Sequence, residues 1–173
     1  MTDSSTDNSR ARIRRLMPED ASVYREIRLE ALQLSSEAFG SSFEYEGAQP
    51  LDFFREAVTK ADIFGAFLEM ALVGVAGYRT QVGAKQAHKG LLWGMYVRPV
   101  ARGTGAGKSL VKAVLDHAQG RVELVQLTVV ADNEAAQRLY RSCGFVAYGH
   151  EVHSLKQGGR YYDELLMAVA LMP

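Results

Sequence analysis

Cysteine is almost missing from this 173-residue chain, which carries only Cys143. A single cysteine excludes an internal disulfide framework and provides no metal-binding cluster, so a reducing, cytoplasmic setting is the expectation. Excess charge of either sign is missing too. Twenty Lys and Arg face twenty Asp and Glu, for a formal net charge of +0. Neither a basic excess nor a basic stripe is present, so a nucleic-acid partner is not expected. No apolar run approaches the roughly 20 residues that span a bilayer, and no membrane partner is expected. The opening MTDSSTDNSR has no apolar core of the kind a signal peptide needs, and residues 1–10 read as a disordered tail.

What remains is ordinary globular material, 47% hydrophobic and 23% charged. A single domain over 11–173 is expected, long enough to bury roughly two-thirds of the surface its unfolded chain exposes. Residues 12–17 alternate as a first strand. Pro18-Glu19-Asp20 then open a helix on which Val23, Ile27, Ala31 and Leu34 recur at helical spacing. Residues 35–47 carry turn chemistry with aromatics embedded in it. A short helix follows Pro50, with Phe53, Phe54, Ala57 and Val58 as its apolar side. Strands are expected over 63–69, 72–81 and 91–97. Gly94 inside the third signals a bulge or a close backbone approach. Leu110, Val111, Val114, Leu115 and Ala118 mark a helix that stops at Gly120. A strand over 122–130 and a helix capped by Asp132-Asn133 and ended at Gly144 come next. Strands over 145–155 and 161–171 complete the chain. Three consecutive strands followed by β-α-β-α-β imply a mixed α/β (α+β) architecture. Its sheet is mostly antiparallel, of about seven strands with one parallel crossover, flanked by about four helices.

Between the strand at 91–97 and the next helix lies ARGTGAGKS, residues 101–109. Its end, Gly107-Lys108-Ser109, could finish a nucleotide-binding P-loop, and Asp132 imitates that motif's magnesium ligand. The spacing fails, because Arg102 stands where the P-loop requires glycine. The topology fails as well, since one crossover does not build a largely parallel sheet. The count Arg102-x-x-Gly105-x-Gly107 works better. It follows a strand and opens a helix, whose first N–H groups are unpaired and whose dipole is positive there. Gly103, Gly105 and Gly107 let an anion approach without meeting a Cβ.

Here VRPVARGTGAGKSL, residues 97–110, resembles the acyl-CoA pyrophosphate loop of the GNAT superfamily of N-acetyltransferases. NEAAQRLYRSCGF, residues 133–145, resembles the family's second motif at Asn133, Ala136, Leu139, Tyr140, Gly144 and Phe145. Looser likeness covers 28–46, similar to the substrate-side helix and loop, and 160–171, similar to the last strand. The resemblance implies a GNAT-type fold with a splay between the strands at 91–97 and 122–130. It implies acetyl-CoA as cosubstrate and no metal. Arg102, Gly103, Thr104, Gly105, Ala106, Gly107, Lys108 and Ser109 would hold the pyrophosphate. The backbone of Met95 and Val97 would pair with the pantetheine amides, and Asn133 would touch the pantetheine. A backbone N–H near Tyr96 or Val97 would face the oxyanion. Tyr140 would act as acid to the departing thiolate, and Leu139 and Phe145 would be core. A phenol near pKa ~10 facing a thiol near ~8.5 makes full transfer uphill by about 2 kcal/mol, so a strong hydrogen bond is the expected form.

The base stays open. Many family members carry a glutamate on the strand at 91–97, and this chain has no acid there. Glu44 is the candidate, while Glu46, His88, Asp163 and Glu164 read as solvated surface groups. Phe43, Trp93, Tyr161 and Tyr162 are candidate substrate contacts. Tyr161 and Tyr162 point to opposite faces of a strand, so at most one lines a site. The other packs, or meets a second copy of the chain in a homodimer. His150, Glu151 and His153 do not have zinc-site spacing, and Cys143 reads as packing. The expected acceptor is a small amine, or the α-amino group of an amino acid or peptide. A lysine-like amine near pKa ~10.4 is only about 0.04% neutral at pH 7, against about 10% for an α-amine near ~8. An acyl-CoA-binding sensor without turnover is the alternative; the missing strand glutamate favours it and Tyr140 argues against it.

Overall fold

The computed structural model describes residues 10–172, so the tail expected over 1–10 lies outside the described residues except for Arg10. Its strands are β1 (Arg12–Arg15), β2 (Asp62–Leu68), β3 (Ala71–Thr80), β4 (Lys89–Val97), β5 (Leu124–Val130), β6 (Val146–Gln157) and β7 (Arg160–Ala170). Its helices are α1 (Ala21–Leu34), α2 (Phe43–Gly47), α3 (Leu51–Lys60), α4 (Ala106–Ala118) and α5 (Glu134–Ser142). One seven-stranded sheet has the order β1-β2-β3-β4-β5-β7-β6. Its neighbours pair antiparallel except β4 and β5, which are parallel. The mixed α/β architecture expected from the element order is the one observed.

Each face of the sheet has its own apolar cluster. On one, Leu110, Val111, Val114 and Ala118 of α4 pack with Val125, Leu127 and Val129 of β5, Met167 of β7, and Tyr140 and Phe145 around α5. Their spacing of three and four on the helix and two on the strand is what brings them together. Burying one such aliphatic side chain stabilises the fold by about 1.5–3 kcal/mol. The other cluster joins Tyr24, Ile27 and Ala31 of α1, Phe54 and Val58 of α3, and Tyr96 of β4.

Three local expectations need correction. The buried stripe of α1 is Ala21, Tyr24, Ile27, Arg28, Ala31 and Leu32, while Val23 and Leu34 are exposed. Arg28 lies inside the stripe, so apolarity alone misjudged its direction. Residues 35–47 are not merely turn. They contain a 3-10 turn at Ser36–Ala38 and then α2, whose N-terminus is capped by Ser42 Oγ accepting from Tyr45 N at 3.2 Å. The capping raises the helix count to five and points Glu46 inward. The histidines on β6 do not simply alternate. Val152, His153 and Ser154 bulge out opposite the single residue Asp163 of β7.

Candidate active site

β4 and β5 pair only at Lys89↔Leu124, Gly90↔Val125 and Leu91↔Gln126. Beyond these pairs the two strands part, which is the splay expected between them. Each is held on its outer side, β5 by β7 and β4 by β3. Arg98 N donates to Val73 O at 2.8 Å, toward β3, so by alternation the backbone groups of Val97 turn to the open side. The Val97 carbonyl there accepts from Arg102 Nε at 3.0 Å. The inner edge of β4 therefore offers strand-type hydrogen-bonding groups with no strand beside them.

Gly94 controls which side chains surround this gap. Gly94 and Met95 together oppose the one residue Ala76 of β3, and Gly94 has φ +61°. A bulge of this kind inserts one residue and reverses the alternation beyond it. Leu92 faces the α4–α5 cluster and Trp93 the α1–α3 cluster. After the bulge, Met95 and Val97 face α4 and α5, and Tyr96 faces α1. Tyr96 is tied down there, its hydroxyl donating to Glu30 Oε1 at 3.0 Å, while Arg98 Nε donates to Glu30 Oε2 at 2.9 Å. Burial, reinforced by the hydrogen bond to Glu30, holds the Tyr96 phenol above its ordinary pKa.

The glycine loop turns directly from β4 into α4. A 3-10 turn at Pro99–Ala101 leads to Gly103 (φ +76°) and Gly105 (φ +87°), and Gly105 is the N-cap of α4. Thr104 Oγ1 donates to Ala101 O at 2.7 Å. The first intrahelical bond into the cap is Ser109 N to Gly105 O at 3.0 Å, so the N–H groups of Ala106, Gly107 and Lys108 project unpaired from the helix end. Thr104, Lys108 and Ser109 are exposed, as is Arg102, whose guanidinium lies 5.8 Å from the Tyr96 ring centroid.

The glycines divide into two kinds. A Cβ at Gly103 or Gly105 would meet nothing within 4 Å, so their freedom serves the left-handed backbone and the open approach. A Cβ at Gly107 would lie 3.2 Å from Leu139 Cδ2 and 3.5 Å from Met95 Cε. Gly107 therefore lets the first turn of α4 pack against α5 and β4, a packing reason in place of the anion-approach reason expected for it.

Across that contact stands α5. Asn133 Oδ1 accepts from Ala136 N at 3.1 Å and caps the helix. Tyr140 is 5% exposed and packs edge-on against Phe145, with ring centroids 5.9 Å apart. Burial pushes the Tyr140 phenol above its ordinary pKa, with a smaller push from Cys143. No hydrogen-bond partner for its hydroxyl exists among the described residues, and that oxygen is not sealed away from solvent. Leu139 is partly buried and Phe145 fully so, as expected of core residues.

On the other side a cleft of about 700 Å³ runs between the α1–α2 segment and the β6–β7 hairpin. Phe39, Phe43, Glu44, Ser154, Lys156 and Tyr162 are among its walls. Glu44 is exposed at the first turn of α2. Tyr161 is not a wall. It stacks on His153 at 4.3 Å, with Lys156 Nζ 4.8 Å from its centroid. Trp93 stands apart from the walls too. Its indole lies so close over Gly77 that a Cβ there would collide with it.

Two carboxylates read from the sequence as solvated are not. Glu46 is buried and receives Arg28 through Nε at 2.9 Å and Nη2 at 2.7 Å. Burial opposes the Arg28 charge, the Glu46 hydrogen bonds outweigh it, and its pKa is raised. Glu164 is 8% exposed and accepts from Ser154 Oγ at 2.6 Å. Its alternation with Tyr162 on β7 was the available signal. Asp163 binds His150 Nε2 at 2.9 Å and the His153 N–H at 2.8 Å, and the His153 N–H bond, then His150, holds its carboxyl below the usual range. Among the described residues no group of three or more His, Cys, Asp and Glu could hold a metal ion. No described helix is long and apolar enough to cross a membrane.

Comparison with known proteins agrees with this geometry. The Acetyltransferase (GNAT) family model matches residues 27–145. The chain is 37% identical over 101 residues to the N-alpha-acetyltransferase RimI of Mycobacterium tuberculosis, covering 58% of this chain and 62% of that one. It is 32% identical over 78 residues to the spermidine N(1)-acetyltransferase of Vibrio cholerae, covering 44% of this chain and 45% of that one. The chain thus spans only about half to three-fifths of these relatives' lengths. Among solved structures, a GNAT family acetyltransferase from Streptococcus pneumoniae aligns with a TM-score of 0.83 at 22% identity, covering 94% of this chain and 99% of that one. The ribosomal-protein-alanine N-acetyltransferase of Brucella melitensis aligns at 0.82 and 23% identity, covering 92% and 99%.

Proposed function

The chain belongs to the Acetyltransferase (GNAT) family, and from that membership we propose that it is an acyltransferase moving the acetyl group of acetyl-CoA to a primary amine. The observation that carries this reading is a convergence. The open inner edge of β4, the unpaired N–H groups at the start of α4 and α5, the helix that bears Tyr140, meet where Gly107 packs on Leu139 and Met95. Each matches one requirement of thioester aminolysis.

The pyrophosphate of the cosubstrate sits at Gly103–Ser109 against the α4 N-terminus, where N–H donors and the helix dipole favour an anion. Its amides extend along Met95 and Val97 as an added strand would. Arg102 then exchanges its bond to the Val97 carbonyl for a phosphate, since that carbonyl is one an added strand would use. A β4 N–H beyond the Gly94 bulge donates to the oxyanion, and such a donor is worth roughly 10²–10³ in rate. The departing thiolate receives a hydrogen bond from Tyr140, kept neutral by its burial.

The acceptor enters from the cleft between the α1–α2 segment and the β6–β7 hairpin. Aromatic rings at Phe39, Phe43 and Tyr162 beside Glu44 suit an ammonium group through ring faces and a carboxylate. We assign the acceptor as a small amine or an α-amino group, in keeping with the spermidine and N-alpha acetylation that the two relatives' names state. The test is thiol release from acetyl-CoA with a panel of amines, run beside thermal shifts with acetyl-CoA, CoA and ATP. Stabilisation by both CoA species with amine-dependent thiol release is expected. Turnover confined to lysine side chains of folded proteins, with no small amine or α-amino group accepted, would refute the acceptor assignment. Saturable acetyl-CoA binding with no turnover of any amine would replace the enzyme by a sensor.

A further inference from the structure

The strand that would be expected to carry a base, β4, has no carboxylate from Lys89 to Val97. The sheet supplies one elsewhere. Glu164 on β7 pairs with Val130 at the end of β5 that borders the splay. Two residues from Tyr162, it shares that residue's face of the strand, the side of the acceptor cleft. Opposite it, β6 inserts Val152, His153 and Ser154 against Asp163 alone, with His153 at φ +56°. Few residues other than glycine adopt such a backbone, histidine being among those that do, and the His153 N–H bond to Asp163 Oδ1 at 2.8 Å holds it there. The result is that Ser154 reaches both ways. Ser154 is one of the cleft's walls and its hydroxyl donates to Glu164 Oε2 at 2.6 Å, while Glu164 Oε1 has no partner among the described residues.

We propose that Ser154 and Glu164 form the proton relay that deprotonates the acceptor amine. This rests on the acetyl-transfer reading above. The ammonium gives one proton to Ser154 Oγ as Ser154 passes its own to Glu164 Oε2. The freed lone pair forms the C–N bond, and the C–S bond breaks with its electron pair on sulfur. The thiolate leaves hydrogen-bonded to Tyr140 and takes up the second proton that nitrogen sheds. Glu164 returns the first to solvent. Around this corner stand Glu151 and Lys156 from β6, His150 with Asp163, Tyr162 from β7 with Arg160 4.9 Å over its ring, Asp132 bound by Arg160 at 3.5 Å, and Glu37 and Glu44 from the α1–α2 segment. On that face β5 presents Leu124, Gln126, Thr128 and Val130, none of them titratable.

The experiment uses the full chain with an amine that the wild type turns over, comparing Glu164→Gln and Ser154→Ala from pH 6 to 10. Near neutral pH each should lower kcat/KM for the amine on the order of 10²-fold, with acetyl-CoA affinity unchanged. The deficit should shrink by about tenfold per pH unit toward the amine's own pKa, because free amine then needs no relay. If Glu164→Gln melts early, Ser154→Ala carries the test, since it keeps the carboxylate in place. Rates within threefold of wild type, a deficit constant across pH, or the pH-dependent deficit appearing in Glu44→Gln instead would overturn the relay. A wild type silent with every amine would instead refute the acetyl-transfer reading, so the two failures are distinct.

Discussion

Replacing Tyr140 by Phe separates two roles that usually move together. The ring is buried against Phe145 and stays so in the variant, and the hydroxyl has no partner to lose among the described residues. Stability should therefore change by no more than about 0.5 kcal/mol. In a domain of this size that is about 2 °C in Tm or less. Turnover should respond very differently. Loss of a positioned proton donor typically costs about 10²–10⁴-fold, or roughly 3–5 kcal/mol of transition-state stabilisation. Thiol release at saturating acetyl-CoA measures kcat, a calorimetric titration measures acetyl-CoA affinity, and a thermal melt measures stability. We expect kcat to collapse while the other two hold. Because burial raises the phenol's pKa, no rate limb from Tyr140 should appear at neutral pH. A variant whose kcat stayed within threefold of wild type would remove Tyr140 from the mechanism.

Glu46→Gln should destabilise the protein by about 3–5 kcal/mol, because it leaves the buried Arg28 charge uncompensated; chemical denaturation reads this directly. Gly105→Val should weaken CoA binding with little effect on the core. Nothing lies within 4 Å of the new Cβ, but a branched residue at φ +87° strains the turn that aims the first α4 amides, as titration with CoA would detect. At high pH, Tyr24 should matter. Burial lifts its pKa from 10.0 to about 12, so the folded state holds the proton more tightly than the unfolded chain. The stability this represents is intact below pH 10 and is lost as pH rises through about 12. Two pKa units correspond to about 3 kcal/mol. Tyr24→Phe should accordingly flatten the fall in denaturation free energy between pH 10 and 12.

The parts of the site that could be read from the chain are those governed by neighbours in sequence. A turn that needs positive φ at Gly103 and Gly105, a helix opened by it, a bulge at Gly94 and a cap at Asn133 are all local backbone matters. Their residue types state them directly. Element order carried the mixed sheet and its single parallel pair in the same way. The α1 stripe was read less well, since a charged residue inside it has no apolar signature. Arg28 is buried only because Glu46 arrives from α2, eighteen residues later.

The sequence by itself therefore determined the glycine turn that opens α4, the helix that bears Tyr140 and the order in which strands and helices follow. Tertiary structure alone decided which carboxylates are solvated, why Gly107 must be glycine, and where a serine meets an acid. Those depend on burial, and burial is set by whatever distant segment covers a residue. Glu164 and Glu44 are the same side chain in a sequence. One is backed by Ser154 across a bulged strand and the other is open to water. That difference exists only once the sheet has assembled.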